Sequence, residues 1–327
     1  MPSANSTFTE LVTTTFRKHS KQIKDNMSKN NALLARLDAK GTRKEDGGLT
    51  IVEPLDYAAN GTYQRYSGYD TLNVGASDVL SAAEYAWRQI AINVVASGLE
   101  LRTNSGGSKI INLVKARMKN AIRTFKNNFS ADVYSDGTLP NQIGGLQALV
   151  SDAGTGTVGG IDSSVWAFWR SMVQSAAAPL QGGGAITPSG TAGIMESLML
   201  PLWLAMVRGD DKPDLIVADN NYFSFYEQGL VSLKRYTGED PSGKATGGFT
   251  SLKYKTADVI FDGGSGIPIN HMYFLNTDYL DLVAHTDADL TIMDEMKPYN
   301  QDAAVVPILW MGNMVCSNRS QQGVIKA

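Results

Sequence analysis

DVIFDGGSGIPINHMYFLNTDYLDL, residues 258–282, is the stretch from which the rest of the chain can be placed. Its apolar residues come in short runs rather than at helical spacing, with a glycine-rich break at Gly263–Gly266. That pattern predicts strands over 256–261, 272–275 and 280–284. Upstream, Asp214 to Ala218 (DLIVA) reads as a buried strand, and residues 220–233 as a helix with Phe223, Tyr226 and Leu230 inward. Residues 198–207 read as a buried helix, and 303–325 as extended chain with a break at Gly312. Trp166, Phe168 and Trp169 read as core residues of a further helix. The class is α+β, with a mixed sheet in the carboxyl half.

Working back towards the amino terminus, the longest helix is expected over residues 108–134. Ile111, Val114, Met118, Ile122, Phe125, Phe129 and Val133 recur at steps of three and four, one apolar helical face. Lys115, Lys119, Arg123 and Lys126 make a second stripe, with Lys109 and Arg117 nearby, and no acidic residue occurs between Glu100 and Asp132. Like charges at i,i+4 repel by a few tenths of a kcal/mol per pair. Such a ladder is either a solvated cationic face or is neutralised from outside, by acidic groups of another surface or by phosphates.

Residues 49–98 change to an extended pattern rich in aromatics: Tyr57, Tyr63, Tyr66, Tyr69, Tyr85 and Trp87. Alternation over 82–96 switches parity near Arg88, which predicts a bulge there in a long two-stranded hairpin. A lone hairpin is marginal in water, so one this aromatic is expected to pack on another surface, a second subunit being the natural one. Residues 1–47 carry nine Lys or Arg against five Asp or Glu, a basic arm on an acidic body. Its apolar positions, including Leu33, Leu34 and Leu37, are too sparse for a core of their own. Short helices lying on another surface are expected, followed by a hinge at GTRKEDGG, residues 41–48.

Composition bounds the remaining choices. With 327 residues the chain is one large domain or about two. Hydrophobic content of 43% and charged content of 19% describe an ordered globular protein. The single cysteine, Cys316, excludes an internal disulfide framework and suits a reducing cytosol. No hydrophobic signal core opens the chain, and the most apolar run, 199–207, is too short to span a bilayer, so a soluble chain is expected.

Catalytic patterns fail on inspection. Residues 238–245, GEDPSGKA, have P-loop spacing, but Ala245 replaces the magnesium-binding hydroxyl and two carboxylates sit in the phosphate cradle. Gly263-Gly264-Ser265-Gly266 is not a nucleophile elbow. His19, His271 and His285 are scattered, and Asp287, Asp289, Asp294 and Glu295 lack the register of a calcium loop. The expectation is a protein that is not an enzyme, with no catalytic, cofactor or metal site.

In their order, a basic arm, an aromatic hairpin, a long helix, a glycine-rich α/β half and a returning terminal strand resemble the major capsid proteins of tailed bacteriophages, which have the Hong Kong 97-type fold. Residues 258–282 carry the resemblance best. PDLIVADNNYFSFY (213–226), TYQRYSGYDTLNV (62–74) and AEYAWRQIAINVVASGLEL (83–101) support it. The resemblance implies an N-terminal arm over 1–47, an extended hairpin loop over 48–104 and a peripheral domain with a spine helix over 105–143. An axial domain over 144–302 and a C-terminal return strand over 303–327 complete it. It implies hexamers and pentamers of an icosahedral shell, assembled in a bacterial cytoplasm around double-stranded DNA that is bound without sequence preference. Tyr63, Arg65, Tyr66, Tyr69, Trp87 and Arg88 would be subunit-interface residues, and Lys115, Lys119, Arg123 and Lys126 would face the lumen. Separate scaffolding, portal and decoration proteins are the implied partners, with no membrane. Some relatives weld subunits through a lysine on the extended loop, but this chain has none between Lys44 and Lys109, so a non-crosslinked shell is expected. Encapsulins, bacterial nanocompartment shells, share the fold and are the alternative; an α+β hydrolase is a remote one.

Overall fold

The computed structural model describes residues 31–103, 113–189, 193–233, 252–263 and 266–327. Most of arm 1–30, the P-loop-like segment 238–245 and Lys109 lie outside the described residues. The amino-terminal half holds α1 (Ala32–Lys40), β1 (Arg43–Glu45), β2 (Ile51–Asp56), β3 (Leu80–Tyr85), β4 (Arg88–Ser97), α2 (Gly98–Thr103), α3 (Leu113–Asp132) and α4 (Leu146–Leu149). After them come β5 (Thr157–Val158), β6 (Ile161–Asp162), β7 (Met172–Ser175), α5 (Leu200–Met206), β8 (Leu215–Ala218) and α6 (Asn220–Leu233). The chain closes with β9 (Leu252–Tyr254), β10 (Ala257–Phe261), β11 (His271–Leu275), β12 (Leu280–His285), β13 (Thr291–Ile292), β14 (Ala303–Cys316) and β15 (Gly323–Lys326).

Two sheets organise these elements. A six-stranded mixed sheet runs β7-β15-β11-β8-β10-β9. Its middle strand β8 is buried at all four positions, which is why DLIVA is a continuous apolar run rather than an alternating one. Ile216 and Ala218 face α5 and α6, while Leu215 and Val217 face the main core. Tyr222 and Tyr226 are the most buried aromatics of α6, with Phe223 and Leu230 half-buried. The second sheet runs β1-β12-β14-β13, with β4 also paired to β14. Across it lies α3, whose Phe125 and Phe129 stack at 5.3 Å, Phe129 meeting Trp310 edge-on at 4.8 Å.

Three local readings are corrected by this topology. The extended stretch after residue 82 does not bulge within one hairpin. It breaks at Ala86–Trp87, so that β3 pairs with β2 while β4 pairs with β14 in the other sheet. Gly312 is no break: β14 runs through it, and a Cβ there would lie 2.1 Å from the Val283 carbonyl oxygen. Close approach of β12 requires the glycine. The break falls instead at residues 317–322, where the chain leaves one sheet and enters the other as β15. Likewise β12 belongs to the second sheet, so the sheets do not divide the chain at residues 143 and 302.

The end of the arm is also settled differently. Leu33 and Leu37 of α1 are buried in the main core of the same chain. GTRKEDGG contains β1, which pairs in parallel with β12. Lys40 and Arg43 both reach Asp281, at 2.8 and 3.7 Å, and Arg43 also binds Glu53. Residues 31–47 are thus part of the body, and a truncation meant to spare it should stop at residue 30. Buried Asp262 joins three elements, accepting from the Tyr134 hydroxyl and, at 3.4 Å, from the Leu33 N–H at the start of α1. Burial, with the Asp262 charge beside it, keeps the Tyr134 hydroxyl protonated far above its usual range. Asp262→Ala leaves both donors unpaired in a dry core and should cost about 3 kcal/mol, read as a lower denaturant midpoint for the unassembled chain.

The crossovers between sheets are polar and buried. Asn276 N–H donates to Gln322 Oε1 (3.1 Å) and Gln322 Nε2 donates to the Asn276 carbonyl (3.0 Å), tying one crossover to the other. Arg319, fully buried in the second crossover, donates to the carbonyls of Leu149 (2.7 Å) and Trp169 (3.0 Å). Burial lowers its pKa from the ordinary arginine value. No carboxylate pairs with it among the described ion pairs, so these carbonyl dipoles do the compensating.

Candidate functional site

The most exposed apolar surface in the described chain is the loop between β2 and β3. Ile51, Glu53 and Leu55 point into the body and Val52, Pro54 and Asp56 away from it, the period-two pattern of a half-buried ribbon. The last rung is the Tyr57 N–H to the Val79 carbonyl, at 3.0 Å. Beyond it, residues 58–79 form no strand. Their shape is held by side chains: Gln64 donates to the Thr71 carbonyl (3.0 Å) and accepts from Asn73 N–H (3.1 Å), and Asn73 donates to the Gly61 carbonyl (3.3 Å). With polar groups turned inward, Tyr63, Tyr66 and Tyr69 stand 82%, 64% and 107% exposed, beside exposed Leu72 and Val74. Arg65 is exposed among them.

The root of the loop is fixed by residues that the sequence placed in the core. Tyr57 packs on Trp166 and Phe168, each with ring centroids at 5.6 Å. Of the three aromatics only Trp169 is fully buried, its indole N–H donating to the Val158 carbonyl at 2.9 Å. They flank a 3₁₀ turn, Ala167–Trp169, not a longer helix. The β5–β6 turn braces β3 through the Glu84 N–H to Gly159 carbonyl bond, 2.9 Å. Gly159 has φ of +59°, and a Cβ there would meet Ala83 Cβ at 2.8 Å, so only glycine allows this approach.

Trp87 and Arg88 lie apart from the loop tip. Trp87 is half-buried against its own body, edge-on to His285 at 5.7 Å and donating to the Gly48 carbonyl at 3.1 Å. Arg88 opens β4 and is half-buried. The sequence gave Trp87 the same weight as the loop tyrosines because aromatic content carries no information about which body covers a ring.

The basic helix resolves into different roles. Arg117 forks onto both oxygens of Glu100, at 2.9 Å each, and reaches the Val95 carbonyl at 2.8 Å. Its hydrogen bonds hold the Glu100 carboxyl down at about 2. Lys119 and Lys126 are exposed and Arg123 half-buried on α3; the side chain of Lys115 lies outside the described residues. Lys119, Arg123 and Lys126, spaced by four and three, share one side of the helix.

One polar pair was not foreseen. His271 Nε2 lies 3.1 Å from both Asp152 oxygens, and Nδ1 lies 2.8 Å from the Ile269 carbonyl. Both ring nitrogens are engaged, which leaves none to act as a base. Among the described residues no group of three or more His, Cys, Asp or Glu could hold a metal ion. Asp289, from the acidic segment, pairs with Lys44 at 3.0 Å. Cys316 is buried, and burial pushes its thiol up to about 12. No described helix is long and apolar enough to cross a membrane.

No protein-family model matches the chain, and no curated protein matches it significantly. Solved structures do. The cyanophage A-1(L) capsid asymmetric unit superposes with a TM-score of 0.69 at 16% identity, over 94% of this chain and 96% of that one. The fold is of the Hong Kong 97 type. The capsid of Myoviridae phage XM1 (TM-score 0.55, 12% identity) is matched over 94% of this chain and 95% of its own. An encapsulin complex from Synechococcus elongatus (TM-score 0.54, 8% identity) is matched over 93% and 91%. At such identities the likeness is one of fold. The Hong Kong 97-type fold gives the exposed ribbon its place as the extended loop and α3 its place as the spine helix.

Proposed function

We propose that the chain is the major capsid protein of a tailed bacteriophage, a structural subunit that assembles into hexamers and pentamers of an icosahedral shell. The observation that carries this reading is the loop over 58–79, an ordered apolar tip with no core beneath it, on a fold shared with phage shell subunits. A monomer gains nothing by exposing three tyrosines, a leucine and a valine on one projection, whereas a subunit contact buries them. Electron microscopy of the purified protein tests it: closed shells of uniform size are expected, and a monodisperse monomer at high concentration contradicts it. The encapsulin match favours one alternative, a protein-loaded compartment. Shells carrying nuclease-protected DNA exclude it; shells purified with an enzyme and no DNA support it.

In this reading residues 1–47 form the arm, 48–104 the extended loop, 105–143 with 303–327 the peripheral domain and 144–302 the axial domain. The capsid encloses double-stranded DNA, with scaffolding, portal and decoration functions supplied by separate proteins. The shell needs no catalytic group. Lys115, Lys119, Arg123 and Lys126 face the lumen, where packaged phosphates supply the counter-charge that the helix lacks. Contact of this kind is electrostatic and indifferent to sequence. Reversing all four to Glu is expected to leave empty shells intact and reduce retained DNA severely, measured as the ratio of full to empty particles. Failure to form empty shells places the stripe against acidic groups of a neighbour instead.

The subunits are held without covalent bonds. No lysine occurs between Lys44 and Lys109, and Arg65, Arg88 and Arg102 stay protonated, so the loop offers no amine nucleophile. Cys316 is buried where no second chain reaches it. Boiled particles should run as one band at 35.2 kDa; a ladder that survives reductant contradicts this.

A further inference from the structure

The second sheet has one covered face and one open one. Along β14, Val306 and Ile308 join Ile92 and Val94 of β4 against Ala121, Met118 and Ile122 of α3. The alternate residues point the other way. Val305 stands opposite Val95 of β4 and forms a bridge with Met296. Two steps along, Pro307 lies opposite Asn93 and accepts from the Met293 N–H at 2.9 Å. Leu309 and Met311 continue the row past Ala91 and Gln89. Val95, Met293 and Met296 are 48%, 39% and 50% exposed. A hollow of about 480 Å³ lies at the Arg88 end, with Gln89, Ala91, Leu309 and Met311 in its lining.

A sheet with one solvated face alternates apolar and polar residues, whereas a sheet covered on both does not. Residues 303–311, AAVVPILWM, are unbroken apolar sequence. The strand is therefore composed for burial on both faces, and α3 supplies only one cover.

We infer that this open face is the seat of the extended-loop tip, residues 58–79, of a second copy of the chain. The inference rests on the shell reading above and names the surface that receives the loop. Each chain carries one uncovered apolar projection and one uncovered apolar sheet face. Joining the projection of one copy to the face of the next uses both and leaves each copy with one of each still to be satisfied. Such a heterologous contact is satisfied throughout only when the chain of contacts closes into a ring. Their chemistry matches as well. Methionine thioethers at 293, 296 and 311 form a pliable surface that takes aromatic rings well, and the loop offers Tyr63, Tyr66 and Tyr69. Asp294 and Glu295, exposed beside the two outer methionines, are opposite in charge to exposed Arg65.

A chain carrying Tyr66→Cys and Met296→Cys tests the contact, since buried Cys316 stays unreactive. Purified particles are treated with a short bismaleimide and run on a denaturing gel. The expected result is a shift from the 35.2 kDa band to a ladder of multiples. Each single substitution, and Tyr66→Cys combined with Lys119→Cys on the opposite side of the sheet, should stay monomeric. Tyr69→Cys with Met293→Cys is an independent second pair. Normal particles giving only monomer from both pairs overturn the inference and leave the shell reading intact, as does an equal ladder from the Lys119 control. A wild-type chain that forms no particles overturns both.

Discussion

Replacing Tyr63, Tyr66 and Tyr69 together by serine is expected to abolish shell formation while leaving the chain's thermal unfolding unchanged. All three rings are solvent-exposed and lie outside the hydrophobic core of the chain, so the folded monomer loses little when they go. The loop keeps its shape through Gln64 and Asn73, which the substitutions do not touch. Burying a large apolar side chain contributes about 1.5–3 kcal/mol. Three rings at one subunit contact then amount to roughly 4–8 kcal/mol, or about three to six powers of ten in the association constant. Sedimentation should show only small species at concentrations where the unaltered chain is fully assembled. Normal shells from the triple variant assign the loop no role in assembly, whereas a large drop in Tm places the tyrosines in the body.

The other large effect is expected at Arg319. Arg319→Ala removes the donor that serves the carbonyls of Leu149 and Trp169 and leaves a cavity where two sheets cross. Hydrogen bonds from a charged donor are worth about 1.5–3 kcal/mol each, and an orphaned buried acceptor about 1–3. A loss of about 4–5 kcal/mol is expected, a large part of the stability of an ordinary domain, and the chain should accumulate as insoluble protein. One effect opposes this sign. A buried guanidinium is itself costly, as its lowered pKa records, and replacing a buried charge by an apolar group of like volume sometimes stabilises. Arg319→Met separates the two. It fills the space without serving the carbonyls, so it should remain strongly destabilised. A methionine variant as stable as the parent shows instead that the charge outweighs the bonds it makes.

Much of the secondary structure was readable because it follows from spacing within a few residues. β8, α6 and β11 fall where short apolar runs and the helical rhythm put them. The apolar side of α3, from Met118 to Phe129, was legible for the same reason. What the sequence by itself determined, then, is the run of elements, the basic stripe, the lysine-free loop and the resemblance in order that pointed to the Hong Kong 97-type fold. Sheet membership was not there to be read. β3 and β4 are separated by two residues and pair in different sheets, and β14 and β15 part in the same way, because a strand's partner is chosen by residues far away in sequence. Distance in sequence also hid the bond from Tyr134 to Asp262, the carbonyls around Arg319 and the covering of Trp87 by His285. Local periodicity records that a face must be buried; only the tertiary structure decides which surface buries it, because burial is a property of neighbours that the chain brings together by folding.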